Sequence, residues 1–265
     1  MTIIDISLWR LAAGYLLLAI PLGIILWLRM PMLGQTLKAV LRMTLQLLFV
    51  GFYLQFIFDL NNFLVTGAWV LGMIAVADVS IVSGCRLRIS KIGGGLFLAL
   101  LAGTVIPLLI FLLLVLPGKE SLNAQYVIPI CGMILGNCLR ADIIGIRSYY
   151  ESLQRNEKAY LLSLAQGASL KEALHPFVRD ACQTALAPTV ASIATIGLVS
   201  LPGMMTGVIL GGGNPMTAIK YQIAIMIAIF AGTALTVILA IQLTSISNFT
   251  SWGSLDRNFF EARKP

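Results

Sequence analysis

The stretch Gly197-Leu-Val-Ser-Leu-Pro-Gly-Met-Met-Thr-Gly207, followed by Val-Ile-Leu-Gly-Gly-Gly-Asn-Pro215, lies inside an apolar run and yet carries Pro202 and six glycines. A bilayer tolerates such a break only where protein or a water-filled cavity satisfies the freed backbone N–H and C=O groups. Transporters place substrate pathways at breaks of this kind. We therefore predict a broken membrane span whose pathway or hinge residues are Pro202, Gly203, Met204, Met205 and Gly207.

The composition independently predicts an integral membrane protein. The chain is 58% hydrophobic and 11% charged, against about 25% charged residues in a soluble domain, and its mean hydropathy is +0.93. Leu11–Leu28 contains no charged residue and approaches the ~20 residues that cross a bilayer. Asp5 stands where a signal peptide would have positive charges, and no small-residue cleavage site follows Leu28. We expect this run to be a membrane span.

Similar runs recur along the chain and predict an all-α fold with about seven transmembrane helices. After Leu11–Leu28 they cover Val40–Phe58, Phe63–Ser83, Ile92–Leu116, Tyr126–Ile146, Thr184–Leu210 and Tyr221–Thr244. The second run is amphipathic, so it either faces a polar interior or lies in the membrane interface. We expect one transmembrane domain over residues 1–244 and a polar cytoplasmic tail over 245–265.

The distribution of basic residues predicts the orientation, because cytoplasmic loops carry an excess of Lys and Arg. An external N-terminus and a cytoplasmic C-terminus place Arg10, Lys119 and Lys220 outside. Fourteen basic residues then lie in the cytoplasm: Arg29, Lys38, Arg42, Arg86, Arg88, Lys91, Arg147, Arg155, Lys158, Lys171, Arg179, Arg257, Arg263 and Lys264. The net charge of +7 suits loops beside anionic lipid and requires no nucleic-acid partner.

The cytoplasmic segment 147–183 has the features of a docking loop. A helix is predicted over Tyr149–Gln166, and Gly167 supplies a left-handed stop. Ser169 and Glu172 have the spacing of a capping box that begins a second helix. We expect that helix to present a short apolar face and to end at a proline boundary; the residues concerned are Leu170, Ala173, Leu174, His175 and Pro176. Such a helix suits a groove in another protein.

Two of these segments resemble known permeases. The first is closely similar to the FetB-like family of ABC-transporter permeases in Leu-Pro-Gly-Met-Met-Thr-Gly and on to Ala218-Ile-Lys-Tyr-Gln222. The wider pattern that resembles this family extends from Tyr149 to Thr244. That family includes bacterial iron-export permeases and plant half-transporters linked to aluminium tolerance. The loop is similar to the EAA loop that seats in the ATPase subunit, although Leu161-Leu-Ser163 replaces its usual Glu-Ala-Ala. The resemblance assigns docking to Gly167, Ala168, Ser169, Leu170, Glu172, Ala173, Leu174 and Pro176.

The resemblance implies a permease of the bacterial inner membrane that exports iron or a related metal. The chain has no Walker A motif, and Gly118-Lys119 falls in a predicted external loop. We therefore expect a chain without catalytic activity or a cofactor of its own. The resemblance implies that ATP and Mg²⁺ bind a separate ATPase, and that two copies of the permease, as a homodimer, join two ATPases. The alternatives are a gradient-driven secondary transporter, a permease for a small organic molecule or nucleotide sugar, and a non-transporting scaffold.

Polar and ionisable residues within spans are costly and are candidates for function. Here they are Asp78, Asn137, Arg140 and Asp142. We expect Asp78 to pair with Arg140 and Asp142 to lie near the interface, either as the entrance for a cationic substrate or as a structural pair. The metal ligands are not predicted: Cys85, Cys131, Cys138 and Cys182, with Met204 and Met205, are either packing residues or part of a soft-metal pathway.

Overall fold

The computed structural model describes residues 6–85, 89–116, 118 and 122–246, and it is helical. The first span comprises α1 (Leu8–Gly14), a 3₁₀ turn (Tyr15–Leu18) and α2 (Ala19–Trp27). Then follow α3 (Leu33–Leu60), α4 (Phe63–Cys85), α5 (Ile89–Ile110) with a π-helical end (Phe111–Val115), α6 (Ala124–Arg155), α7 (Glu157–Ala165), α8 (Leu170–Thr195), α9 (Gly203–Leu210) and α10 (Pro215–Ile246). Most of the predicted tail, residues 247–265, lies outside the described residues.

Helices α4, α5, α6 and α10 form the packed core of the bundle, and small residues permit their close approach. A Cβ on Gly232 of α10 would lie 2.8 Å from both the Gly103 carbonyl oxygen of α5 and Cγ2 of Ile134 of α6. Gly103 in turn lies against Thr236, too close to admit a side chain. Van der Waals packing of this type holds helices together in lipid, where no hydrophobic effect draws them together.

Glycine contacts also show that α4, α6 and α10 run in the same direction through the bundle. A Cβ on Gly132 would meet Met73, and one on Gly84 would meet Ile143, so α4 and α6 run parallel. Gly232 lies against Ile134 and Gly145 against Val237, so α10 runs parallel to α6 as well. The chain between α6 and α10 must therefore return across the bundle. Only α8 and α9 are available for this crossing among the described helices.

Of the seven predicted runs, Thr184–Leu210 is the one that does not form a continuous spanning helix in the described chain. Six described helical segments are long and apolar enough to cross a membrane, and this run is not one of them. The helix ends at Thr195 and resumes at Gly203, as the proline and glycines of this run predict. Neither piece alone meets the length and hydropathy of a span, so the crossing is made in two parts.

The amino-terminal helices are far less embedded than the rest. Only 6% of the spanning window of α3 is buried, compared with 50% in α6. Helix α3 meets the bundle near its C-terminal end. There the Asn61 side-chain amide donates a 3.1 Å hydrogen bond to Asn123 Oδ1, and the ring of Tyr53 packs at a tilt against Trp69. Farther from that end, α3 meets the first span, where the Thr44 hydroxyl shares a hydrogen bond with the Tyr15 hydroxyl.

Two predicted helix boundaries are wrong. The helix expected over Tyr149–Gln166 is divided at Asn156, because α6 extends to Arg155 before α7 begins. The boundary expected at His175 is absent, and α8 continues through Pro176 to Thr195. A proline within a helix costs about 3 kcal/mol. Here α8 is buried on both sides of it, through Ala173, Leu174, Ala181 and Ala185, and this packing offsets the cost.

Candidate functional site

The corner between α7 and α8 is held by two consecutive capping motifs. Gly167 adopts φ +96°, and the Ala168 N–H donates to the Ser163 carbonyl at 3.1 Å. The Glu172 N–H donates to Ser169 Oγ at 3.3 Å, and the Ser169 N–H returns a 2.8 Å bond to Glu172 Oε2. The Ser169 hydroxyl also donates a 2.7 Å hydrogen bond to Glu172 Oε2. This bond, together with the one from the Ser169 N–H, lowers the pKa of the Glu172 carboxyl. The capping box predicted from the sequence is therefore present.

The apolar face predicted at this corner is only partly available to another protein. Ala173 and Leu174 are buried in the core of the chain, at 6% and 7% exposure. Leu170 is exposed, and so are Leu161 and Leu162 on α7. The face open for docking therefore combines residues of both helices. The spacing of apolar residues along α8 could not predict this, because the packing of α7 against α8 determines which side of α8 is buried.

Aromatic packing attaches the corner firmly to the bundle. The rings of Tyr160 on α7 and Phe177 on α8 meet edge to face, with centroids 6.4 Å apart. Tyr160 is buried and belongs to the same apolar cluster as Leu153 of α6. A displacement of the corner would therefore carry α6 and α8 with it, because close-packed side chains transmit rather than absorb strain.

The break between α8 and α9 is a turn of a different kind. Gly197 adopts φ +84°, and its N–H donates to the Ser200 carbonyl at 2.9 Å. Pro202 precedes α9 without a side-chain cap. The apolar side chains of the turn are largely exposed, Leu198 at 89% and Val199 at 81%. Within the described chain, little packing holds this segment.

The predicted hinge residues lie together on α9. Met204 packs, half-buried, against the main apolar cluster, and Met205 is also half-buried. Gly203 and Gly207 have no atom within 4 Å of where a Cβ would stand. Packing within a single chain therefore does not require glycine at either position.

Asp142 is more deeply buried than predicted. We expected it near the interface, but it is 0% exposed and faces α10, where the Thr236 hydroxyl is its neighbour. Both of its carboxylate oxygens lack a hydrogen-bond partner among the described residues. The helix phase explains the error, because Asp142 stands one turn after Cys138, which also contacts α10.

The sequence reasoning missed the polar residues that accompany Asp142. Thr104 of α5 and Thr233 and Thr236 of α10 are fully buried. A threonine within an apolar run does not by itself indicate a polar site, because its hydroxyl can donate a hydrogen bond to a backbone carbonyl of its own helix. The Thr233 hydroxyl does so, to the Ile229 carbonyl at 2.9 Å. The spacing of Thr233 and Thr236, one helical turn apart, is the pattern that would have indicated a shared face.

The expected pair of Asp78 and Arg140 is not formed. Asp78 is nearly buried on α4, and its Oδ1 has no hydrogen-bond partner in the described chain. The parallel register of α4 and α6, in which Met73 meets Gly132 and Gly84 meets Ile143, places Asp78 at the level of Asn137. Arg140 lies nearly a turn beyond and is exposed. We therefore correct the prediction of an ion pair between these residues.

Arg140 and Asn137 instead line a cavity of about 120 Å³ between α6, α8 and α10. Its other lining residues are Ala141, Ile144, Ala185, Pro188, Thr189, Ser192 and Met226. The Asn137 amide donates to the Met133 carbonyl at 2.8 Å, which fixes its orientation. The intramembrane polar residues therefore divide into two groups, with the carboxylates in the core and Arg140 and Asn137 at the cavity.

The four cysteines are free thiols, and all except Cys182 are buried. Among the described residues, no group of three or more His, Cys, Asp or Glu side chains is placed to hold a metal ion. Cys131 and Cys138 lie on one buried face of α6, within the main apolar cluster.

Comparisons with known proteins extend over most of the chain. It is 36% identical over 208 residues to "Probable iron export permease protein FetB" of Escherichia coli, covering 77% of each chain. It is 33% identical to "Protein ALUMINUM SENSITIVE 3" of Arabidopsis thaliana, over 86% of this chain and 82% of the relative. It is 32% identical to "UPF0014 membrane protein STAR2" of rice, over 88% and 81%. No solved structure matches the chain.

The family model described as "Uncharacterised protein family (UPF0014)" matches residues 8–249, from the first spanning helix to the end of the last. Together with the relatives and the helical bundle, this match shows that the chain is a multi-pass membrane protein and belongs to the UPF0014 family.

Proposed function

We propose that this chain is the permease subunit of an ABC transporter and that it exports iron or a related metal with a separate ATPase. The observation that carries the proposal is the α7–α8 corner. It is capped on both sides and exposes Leu161, Leu162 and Leu170. The contact between Tyr160 and Phe177 joins its two helices within the main apolar cluster. A rigid apolar projection of this kind suits a groove in a partner and passes its movement to the membrane helices.

The charge distribution supports docking at the cytoplasmic side. The alternating helix directions bring the α2–α3 turn and the α7–α8 corner to one end of the bundle, with Arg29, Lys38, Arg147, Lys158 and Lys171. Such an excess of basic residues is typical of cytoplasmic loops. This orientation puts the N-terminus outside and presents the corner to a cytoplasmic ATPase, which binds ATP and Mg²⁺.

The substrate proposal rests on the relative named as a probable iron export permease. The described residues offer dispersed polar groups rather than a cage of metal ligands. An exporter benefits from weak contacts along its path, because a tightly bound ion would not be released. The seven-crossing bundle would form half of the pathway, so two permeases and two ATPases complete the transporter.

Co-purification tests this function. The wild-type chain is co-expressed with an ABC ATPase of the same organism and extracted in detergent, and bound ATPase and ATP turnover are measured. We expect wild type to retain the ATPase and Leu170→Asp to lose it, because a buried aspartate in an apolar groove is costly. Leu198→Asp is the matched control: it changes an exposed leucine at the opposite end of the bundle and should retain the ATPase.

Two results would contradict this function. If wild type binds no ABC ATPase, the proposal fails and a gradient-driven carrier becomes the better hypothesis. If the ATPase binds and cells lacking the chain keep the same iron content under iron load, metal export is excluded while the permease assignment stands.

A further inference from the structure

The cavity between α6, α8 and α10 combines a cation with neutral polar groups. Its polar lining consists of Arg140, Asn137, Thr189 and Ser192, and no carboxylate is among its lining residues. Its volume of about 120 Å³ equals that of about four waters. This is room for a single carboxylate or phosphate group with little remaining solvent.

Arg140 lies deep in the membrane-spanning part of α6. It stands about 24 Å from Ala124 and about 22 Å from Arg155 along the helix, at 1.5 Å per residue. Arg147, the next basic residue toward the charged end, is about 10 Å away. An arginine at such depth faces protein or a water-filled cavity, because hydrocarbon contact is costly.

The charge of Arg140 is not neutralised within the described chain. Arg140 makes no hydrogen bond or ion pair there, and Asp78, the partner expected from the sequence, remains on α4 without reaching it. Asp142 faces α10 and is fully buried, so it is also unavailable. The accessible polar surface at this depth is therefore cationic. A bare metal cation would be repelled here.

We propose that Arg140 binds an oxyanion group of the transported molecule, so that the metal leaves as an anionic complex with an organic acid rather than as a free cation. The planar guanidinium presents paired N–H donors that match a carboxylate or phosphate. The Asn137 amide, held by its bond to the Met133 carbonyl, stands beside it to accept or donate one further hydrogen bond. This inference rests on the proposed export function and specifies its substrate class.

The test measures ligand binding by the full-length permease alone, in nanodiscs of neutral phosphatidylcholine. The melting temperature is followed against ferric citrate, citrate, inorganic phosphate and ferrous ion. We expect ferric citrate or citrate to raise the melting temperature of the wild type. Arg140→Gln should weaken that response at least tenfold, and Arg140→Lys should weaken it less, because lysine keeps the charge but lacks the paired donors.

Arg179→Gln is the matched control. It removes an exposed cation from α8 outside the cavity and should respond as the wild type does. If Arg140→Gln does not fold, Arg140→Lys and Thr189→Val replace it, and both should reduce the response to citrate.

Two results would overturn the inference. One is a response to ferrous ion alone that Arg140→Gln leaves unchanged. The other is a melting shift caused by phosphatidylglycerol nanodiscs that citrate and phosphate do not compete away, which would assign Arg140 to a lipid headgroup. Neither depends on the ATPase, so failure here is distinguishable from failure of the proposed function.

Discussion

The chain makes two sharp turns on a left-handed glycine, and their surroundings differ. Gly167 at φ +96° is followed by a capping box, and the packed pair Tyr160 and Phe177 flanks it on either side in the chain. Gly197 at φ +84° is followed by exposed apolar residues and by Pro202, which offers no side-chain cap. The same backbone conformation therefore begins a rigid corner in one place and a loosely held break in the other.

The two ends of α8 therefore differ in how firmly they are packed. Its first end is fixed to α7 and α6, and its last turn opens into a segment that few side chains hold. Segments with few buried contacts open at low free energy. We infer that movement imposed at the corner is taken up at the break, and the following predictions test the two ends separately.

The largest effect is expected from Gly167→Arg. A side chain at a left-handed position costs roughly 1–2 kcal/mol, and the bulk of arginine would displace the capped turn that presents Leu170. Binding of the ATPase should be lost, as measured by co-purification. Gly34→Arg, a change at another glycine near the same end with open space around it, should retain binding. Retention by Gly167→Arg would show that the corner is not the docking element.

Gly203→Leu should produce the next largest effect, at the other turn. No atom lies within 4 Å of its Cβ position, so the melting temperature should change little. Transport into proteoliposomes should nevertheless fall at least tenfold, because the leucine fills the space into which α9 moves or a second copy packs. Gly14→Leu, equally unobstructed on α1, is the control. Normal transport by Gly203→Leu would remove α9 from the pathway.

Ser169→Ala should weaken the corner without abolishing it. Loss of an N-cap costs about 1 kcal/mol, so ATPase affinity should fall about two- to fivefold. Ser200→Ala, in the uncapped turn, should have no effect on affinity. Equal effects of the two substitutions would contradict the distinction between the turns.

The carboxyl of Glu172 adds a pH dependence to the corner. Its pKa is lowered in the folded chain by hydrogen bonds from Ser169, so its stabilising contribution is complete above the ordinary glutamate range. It is lost as the pH falls through the lowered pKa. The melting temperatures of wild type and Glu172→Gln should therefore converge in acid, and a difference that grows in acid would contradict this.

The smallest effect is expected from Met204→Leu. Met204 is half-buried against the main cluster, and a swap that conserves volume costs less than about 1.5 kcal/mol. Iron transport should stay within twofold of wild type. A selective loss of transport for a soft ion such as Cu(I) would instead identify the thioether as a ligand.

Part of the fold could be predicted from short stretches of the sequence. Apolar length predicted the spanning helices, and the spacing of Ser169 and Glu172 predicted the cap, because both depend on neighbouring residues. The break between Thr195 and Gly203 was also predictable, since proline and clustered glycines disrupt a helix irrespective of its partners.

Features that depend on distant residues were not predictable. Whether Asp142 reaches an interface or α10 depends on helix rotation, which its own neighbours in sequence do not determine. The burial of Leu174 depends on how α7 folds over α8. Pro176 was expected to end a helix, and only tertiary packing explains why it does not.

The close contact between Gly103 and Gly232 has a consequence for biosynthesis. These residues are separated by the whole of α6 to α9, and α10 also supplies the neighbour of Asp142. A nascent chain therefore holds an uncovered carboxylate and an unfilled groove until its final span leaves the ribosome. Any chain truncated before α10 would display that defect inside the membrane, where quality-control proteases could recognise it.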